Sequence, residues 1–186
     1  DSAFNVVTVE TGGRAPTPTP RLGNTSSSCG ICGSEQLTDL ATRLAPLPAT
    51  EPFELALLHS IPDRVVSDQR LFAATGASHA AAAFDRDGAV IVVREDVGRH
   101  NAVDKVVGWA LREGRLPLTG TTLQVSGRAS FELVQKAHMA GIPVLAAVSA
   151  PSSLAVEHAE SAGMTLLGFS RGGAFNAYAG AHRITA

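Results

Sequence analysis

The chain has 186 residues, of which 45% are apolar and only 5% aromatic, and its formal net charge is −2. That is enough chain for one globular unit with a sizeable core, and the near-neutral balance gives no general electrostatic case for nucleic acid or a membrane surface. No apolar run approaches the roughly 20 residues of a membrane-spanning helix, and no secretory signal is visible. A cytoplasmic location is therefore expected. The chain begins at Asp1 rather than Met, as a fragment or a processed chain would.

In chain order, residues 4–10 (FNVVTVE) read as a strand by their β-branched content. Residues 11–34 read as a loop. The stretch Thr17-Pro18-Thr19-Pro20 and the run from Gly23 to Ser28 can bury little apolar surface and are expected to stay flexible. This loop holds the two cysteines of the chain, Cys29 and Cys32, in Ser28-Cys29-Gly30-Ile31-Cys32-Gly33. Residues 1–34 are thus expected to form an N-terminal strand and flexible loop, ahead of an α/β unit over 35–186. Residues 35–48 read as irregular, with Pro46 and Pro48. Residues 51–60 read as a helix with Pro52 early in it and Ile61-Pro62 ending it. Residues 67–72 start another helical or turn segment.

From Thr75 the pattern sharpens. His79 opens a helix-like segment through Ala80–Ala83, and Asp85-Arg86-Asp87-Gly88 is a hairpin signal between two apolar runs. Residues 89–94 (AVIVVR) read as a buried strand. The polar run Arg94 to Asn101 then opens a helix whose apolar positions Val103, Val106, Val107, Ala110 and Leu111 recur at helical spacing. The last third alternates: strand 121–125, helix 130–140 ended by Gly141, strand 142–148, helix 153–162 ended by Gly163, strand 164–169, and a possible final strand over 174–179. This is β-α-β-α-β with parallel strands.

Ligands of open α/β sheets bind beyond the carboxyl ends of the strands. Three turns emerge there: Ser126-Gly127-Arg128, Ser149-Ala150-Pro151-Ser152 and Ser170-Arg171-Gly172-Gly173. Together with Arg94–Asn101 they offer hydroxyls, arginines and helix starts suited to phosphate. Ordinary capping explains the same residue types. His79 and His100 are candidates for ligand contact, and Lys105 lies one turn beyond Asn101. Cys29 and Cys32 fit three chemistries. A structural zinc needs four ligands and would have to be shared between subunits. A redox pair normally opens a helix after a strand, which this loop does not do. A persulfide carrier needs one exposed nucleophilic thiol, with the second assisting.

The motifs resemble those of the formate dehydrogenase accessory sulfurtransferase (FdhD) family. The resemblance runs from Ser27-Ser28-Cys29-Gly30-Ile31-Cys32-Gly33 through Ala74-Thr75-Gly76-Ala77-Ser78-His79 to the long run Arg94–Lys105. It continues in Ser126-Gly127-Arg128-Ala129-Ser130, Val148-Ser149-Ala150-Pro151 and Gly168-Phe169-Ser170-Arg171. It implies a three-layer α/β/α sandwich around a mixed sheet, similar to the cytidine deaminase fold. It implies a carrier that takes sulfur from a cysteine desulfurase as a persulfide on Cys29, assisted by Cys32. The acceptor would be the molybdenum (or tungsten) bis(molybdopterin guanine dinucleotide) cofactor of formate dehydrogenase, with GDP as a binding fragment and a homodimer as the working form. The guanine dinucleotide is expected near Phe169, Ser170, Arg171, Gly172, Gly173 and Ala174. Further contacts are expected from His79, Arg94, Asp96, Arg99, His100, Asn101, Lys105, Ser126, Gly127, Arg128, Ser149 and Ser152, with no metal held by the chain itself. Members of that family have a longer region before the cysteine loop, which this chain is expected to lack. Zinc-deaminase chemistry is not expected, because His79 is followed by Ala80-Ala81 rather than x-Glu, and the cysteines lie upstream.

Overall fold

The computed structural model describes residues 8, 10–16 and 44–186. Cys29 and Cys32, and all of the expected strand over 4–10 except Thr8 and Glu10, lie outside the described residues. The chain groups into two compact units, Asp1–Asp39 and Leu40–Ala186. In the first, the described residues make a turn at Gly12 and Gly13, closed by Arg14 N–H donating to the Thr11 carbonyl at 3.2 Å.

The second unit is built on a six-stranded sheet. Its strands are β2 (His79–Phe84), β3 (Val90–Asp96), β4 (Thr122–Val125), β5 (Val144–Ala147), β6 (Thr165–Arg171) and β7 (Ala174–Ala179), in the spatial order β3-β2-β4-β5-β6-β7. β4, β5 and β6 are mutually parallel, while β2 is antiparallel to both β3 and β4 and β7 is antiparallel to β6. A separate parallel pair joins β1 (Phe53–Glu54) to β8 (Ile184–Thr185).

Helices cover both faces. On one face α3 (Arg99–Arg112), α4 (Phe131–Met139) and α5 (Ser153–Ser161) close a core with Ala81, Ala83, Leu123, Val125, Leu145 and Leu166. On the other, α1 (Leu55–Val66) packs Leu58, Ile61 and Val65 over Ala80, Ala82, Phe84, Val144, Ala146 and Leu167. The expected three-layer mixed sandwich is borne out.

Two expectations need correcting. The segment opened by His79 is strand β2, not a helix. Alanine has the highest helix propensity, but tertiary context overrides propensity; here the strand is hydrogen-bonded on both sides, and methyl side chains fill a position covered on both faces. The first helix begins later and runs longer than 51–60. Pro52 lies ahead of it, and Pro62 sits inside it. Pro62 removes the bond to the Leu58 carbonyl, yet Leu58, Ile61, Pro62 and Val65 are all buried at i, i+3, i+4 and i+7. Burying that stripe outweighs one lost hydrogen bond. The following helix is α2 (Arg70–Thr75), ended by Gly76 in the left-handed region at φ 65°.

Candidate functional site

β3, β4, β5 and β6 all point the same way, because β3 and β4 are each antiparallel to β2. Their carboxyl ends therefore open on one rim of the sheet, where β2 and β7 begin. The rim collects all four polar segments expected from the sequence. Backbone hydrogen bonds lace it: Ser149 N–H donates to Gly127 O at 3.4 Å, Ser152 N–H to Ala129 O at 3.0 Å and Phe169 N–H to Ser149 O at 3.3 Å.

At its centre, Arg99, Arg128, Ala129, Ser130, Ala150, Pro151 and Ser152 line a cavity of about 310 Å³. Ser130 and Ser152 precede α4 and α5, whose first-turn N–H groups have no carbonyl within the helix. Only Ser152 caps, its hydroxyl accepting from Ala155 N–H at 3.3 Å. Arg99 Nε is buried with no hydrogen-bond partner among the described residues. Two guanidinium groups, two helix starts and one unpaired buried donor make this cavity suited to an anion.

Gly127 is the point of closest approach. A Cβ at this position would lie 3.2 Å from Arg99 Cδ and 3.6 Å from His79 Cε1. His79 Nδ1 lies 3.2 Å from Ser126 Oγ, which also accepts from Ala80 N–H at 2.9 Å. The end of β6 is strained: Phe169 adopts φ 54°, and the pairing with β7 is irregular between Gly168 and Arg171. Ser170 is fully buried and donates to Gln124 Oε1 at 3.3 Å.

Several of the expected contact residues bond to one another. Asp96 Oδ1 accepts from Gly98 N–H at 2.9 Å and Asn101 Nδ2 at 3.0 Å, while Asp96 Oδ2 lies 2.7 Å from Lys105 Nζ. Led by the Lys105 ammonium, these bonds hold the Asp96 carboxyl at about 2. The cluster fixes the entry into α3, and so the position of Arg99. His100 Nε2 lies 3.1 Å from Ser130 Oγ and 3.0 Å from Glu132 Oε2. Burial pushes the His100 imidazole below its ordinary value despite the opposing pull of Glu132. Arg94 lines a different depression, beside Lys105, Trp109 and Arg112. Arg171, Gly172, Gly173 and Ala174 are exposed at the tip of the β6–β7 hairpin, outside the cavity.

Sequence reasoning missed three residues here. Glu132, in the first turn of α4, places its Oε2 3.0 Å from His100 Nε2. Glu95 accepts from Leu71 N–H at 2.7 Å, Phe72 N–H at 2.8 Å and Ser78 Oγ at 2.8 Å, pinning α2 to β3. Those three donors draw its carboxyl below the ordinary range even though burial, the largest single influence, works the other way. Gln69, ahead of α2, is buried although polar. Only Glu95 lay in a run already singled out. Among the described residues, no group of three or more His, Cys, Asp or Glu could hold a metal ion, and no helix is long and apolar enough to cross a membrane.

The chain is 54% identical over 189 residues to "Sulfur carrier protein FdhD" of Streptomyces avermitilis, covering 98% of this chain and 67% of the relative. It is 55% identical to the protein of the same name from Mycobacterium tuberculosis, covering 87% of this chain and 59% of that one. The chain thus spans about two thirds or less of the length of these relatives. Among solved structures it matches a putative formate dehydrogenase accessory protein from Desulfotalea psychrophila at 31% identity and a TM-score of 0.71, over 79% of this chain and 62% of that one. The model of the FdhD/NarQ family matches residues 1–185, and the chain belongs to that family.

Proposed function

We propose that this chain is a sulfur carrier for formate dehydrogenase, moving sulfur as a persulfide on Cys29 to a molybdenum (or tungsten) bis(molybdopterin guanine dinucleotide) acceptor. The donor is a cysteine desulfurase. The Cys29 thiolate attacks the donor's outer sulfur, the donor's own thiolate leaves, and Cys29 carries the persulfide with no net oxidation. Cys32 assists its release. The working form is a homodimer in the cytoplasm.

The observation that carries this reading is the rim cavity, with Arg99, Arg128 and the starts of α4 and α5 around one volume. These groups suit the pyrophosphate of a dinucleotide. The names of the relatives supply the sulfur, and the two cysteines supply the only thiols in the chain.

Two measurements test it. After incubation with a cysteine desulfurase and cysteine, intact-mass analysis should show one added sulfur atom, absent from Cys29→Ala. Calorimetric titration with GDP should show binding that Arg128→Ala weakens about ten- to a hundredfold, as loss of a hydrogen bond to a charged group does. A Cys29→Ala protein that still activates formate dehydrogenase would overturn the sulfur-transfer step.

A further inference from the structure

Strand β3 is an outer strand of the sheet, paired only with β2. It borders a cleft of about 760 Å³ shared with α3, lined by Arg94, Glu95, Lys105, Gly108, Trp109 and Arg112 among others. This cleft has no lining residue in common with the rim cavity.

The register decides what the free edge of β3 offers. Ala80 gives its carbonyl to Ser126 N–H at 3.0 Å and its own N–H to Ser126 Oγ at 2.9 Å, both on the β4 side. Glu95 stands opposite Ala80, and Val93 opposite Ala82. Opposed residues of an antiparallel pair alternate between bonded and unbonded, so Val93 and Glu95 turn their peptide groups to the outer edge. Two cations take the outward carbonyls: Arg94 Nη1 donates to Val93 O and Lys105 Nζ to Glu95 O, each at 2.9 Å. The edge is left rich in donors. That disfavours an ordinary strand, which brings donors of its own for the carbonyls, and favours a chain rich in acceptors.

The charges point the same way. Lys105 is committed to Asp96. Among the described residues, no carboxylate forms an ion pair with Arg94, Arg112 or Arg115. The Arg115 guanidinium lies 5.3 Å over the Trp109 ring. The Glu95 carboxylate is occupied by Leu71 N–H, Phe72 N–H and the Ser78 hydroxyl, which leaves Glu113 as the other acid lining the cleft. On a chain of net charge −2, this is a local concentration of guanidinium groups, which grip carboxylates two bonds at a time.

Gly108 gives an independent reason to expect a visitor. It lies inside α3, where glycine costs more backbone freedom than alanine. Beyond its own helix backbone and its chain neighbours, a Cβ there would meet nothing within 4 Å. The fold therefore gives no reason for glycine, whereas the bare floor lets another backbone come close to the helix between Lys105 and Arg112.

We infer that the cleft between β3 and α3 docks an extended, acidic segment of a partner protein, with its backbone along the outer edge of β3, its carboxylates on Arg94 and Arg112, and Gly108 as the floor. Outward donors two residues apart on a strand match the repeat of a polypeptide, which favours a protein segment over a nucleic acid strand. This goes beyond the proposed sulfur transfer and does not rest on it.

The test uses the full chain. Trp109 is the one tryptophan in the sequence, so its emission reports the cleft directly. The probe is a capped decapeptide of alternating glutamate and threonine, compared with its glutamine-threonine analogue and with oligouridylate. The acidic peptide should shift Trp109 emission saturably, more weakly as salt rises, and the glutamine analogue should not. Replacing both Arg94 and Arg112 by glutamine should weaken binding about threefold or more, as loss of two exposed ion pairs does. Gly108→Gln should weaken it by filling the floor, yet raise the melting temperature by about 1–4 °C, because a helix former replaces glycine. Should Gly108→Gln melt early, the double arginine variant still decides. An acidic peptide that leaves Trp109 unmoved, or that binds wild type and both variants alike, overturns the inference. Oligouridylate that binds tighter than the peptide overturns the assignment to a protein segment. A wild-type dimer that Gly108→Gln turns into a monomer makes a second copy the occupant and overturns it as well. Sulfur loading of Cys29 is a separate measurement, so failure here leaves the proposed function standing.

Discussion

Phe169 offers a clean test of strain at the rim. Its φ of 54° lies in the left-handed region, which costs a residue with a Cβ about 1–2 kcal/mol. Phe169→Ala removes the ring but keeps the strain, whereas Phe169→Gly removes both. Glycine also loses more backbone freedom on folding, about 0.5–1 kcal/mol. The difference leaves Phe169→Gly more stable than Phe169→Ala by about 0.5–1 kcal/mol, the loss of ring contacts cancelling between the two. For a unit of this size that is a gap of about 1–4 °C in melting temperature, measurable by thermal and urea unfolding followed by circular dichroism. An alanine variant as stable as the glycine variant would refute the argument, because it would mean that φ is not held positive. The ring is 37% exposed, so burial of Phe169 alone does not account for keeping a strained aromatic residue there.

Three further outcomes follow from the geometry. Gly127→Ala places a methyl 3.2 Å from Arg99 Cδ in an ordinary backbone region; GDP affinity should fall several-fold, about 1 kcal/mol, with the melting temperature little changed. The Asp96 carboxyl should titrate near 2 rather than 3.8, as read by NMR. Because its folded value is depressed, its contribution is complete above 3.8 and fades as pH falls towards 2, and Lys105→Met should raise that midpoint. Burial, then the neighbouring His138, push His158 below 6.5. The unfolded chain therefore takes up that proton more readily, and the urea midpoint should drop as pH falls below 6.5, with a smaller drop in His158→Asn. A midpoint that rises on acidification would contradict this.

The last third of the fold was legible because its signals agree. Each apolar run from Thr121 onward is bounded by a glycine or serine turn, and the strand expected over 174–179 is found as Ala174–Ala179. Around Ala80–Ala83 the local and long-range signals conflict, and pairing with β3 and β4 decides the outcome. Pro62 misled for the same reason, since a buried stripe overrode a helix breaker. At the rim, arginines and serines could be nominated from spacing, but Asp96, Asn101 and Lys105 satisfy one another once folded. Gln69 carried no signal, because only burial distinguishes it from a solvated glutamine.

Strand β2 is a partition one methyl group thick. Ala80 and Ala82 touch the layer of α1, while Ala81 and Ala83 touch the layer of α3. Enlarging one side chain along this partition would displace one layer and spare the other. An added methyl at 81 or 83 would nudge α3, whose first residue is Arg99, and so reshape the rim cavity that Arg99 lines. The same change at 80 or 82 would nudge α1 and leave Arg99 in place. Neighbouring alanines in a single strand thereby reach separate layers, one of them carrying Arg99 to the rim and the other not.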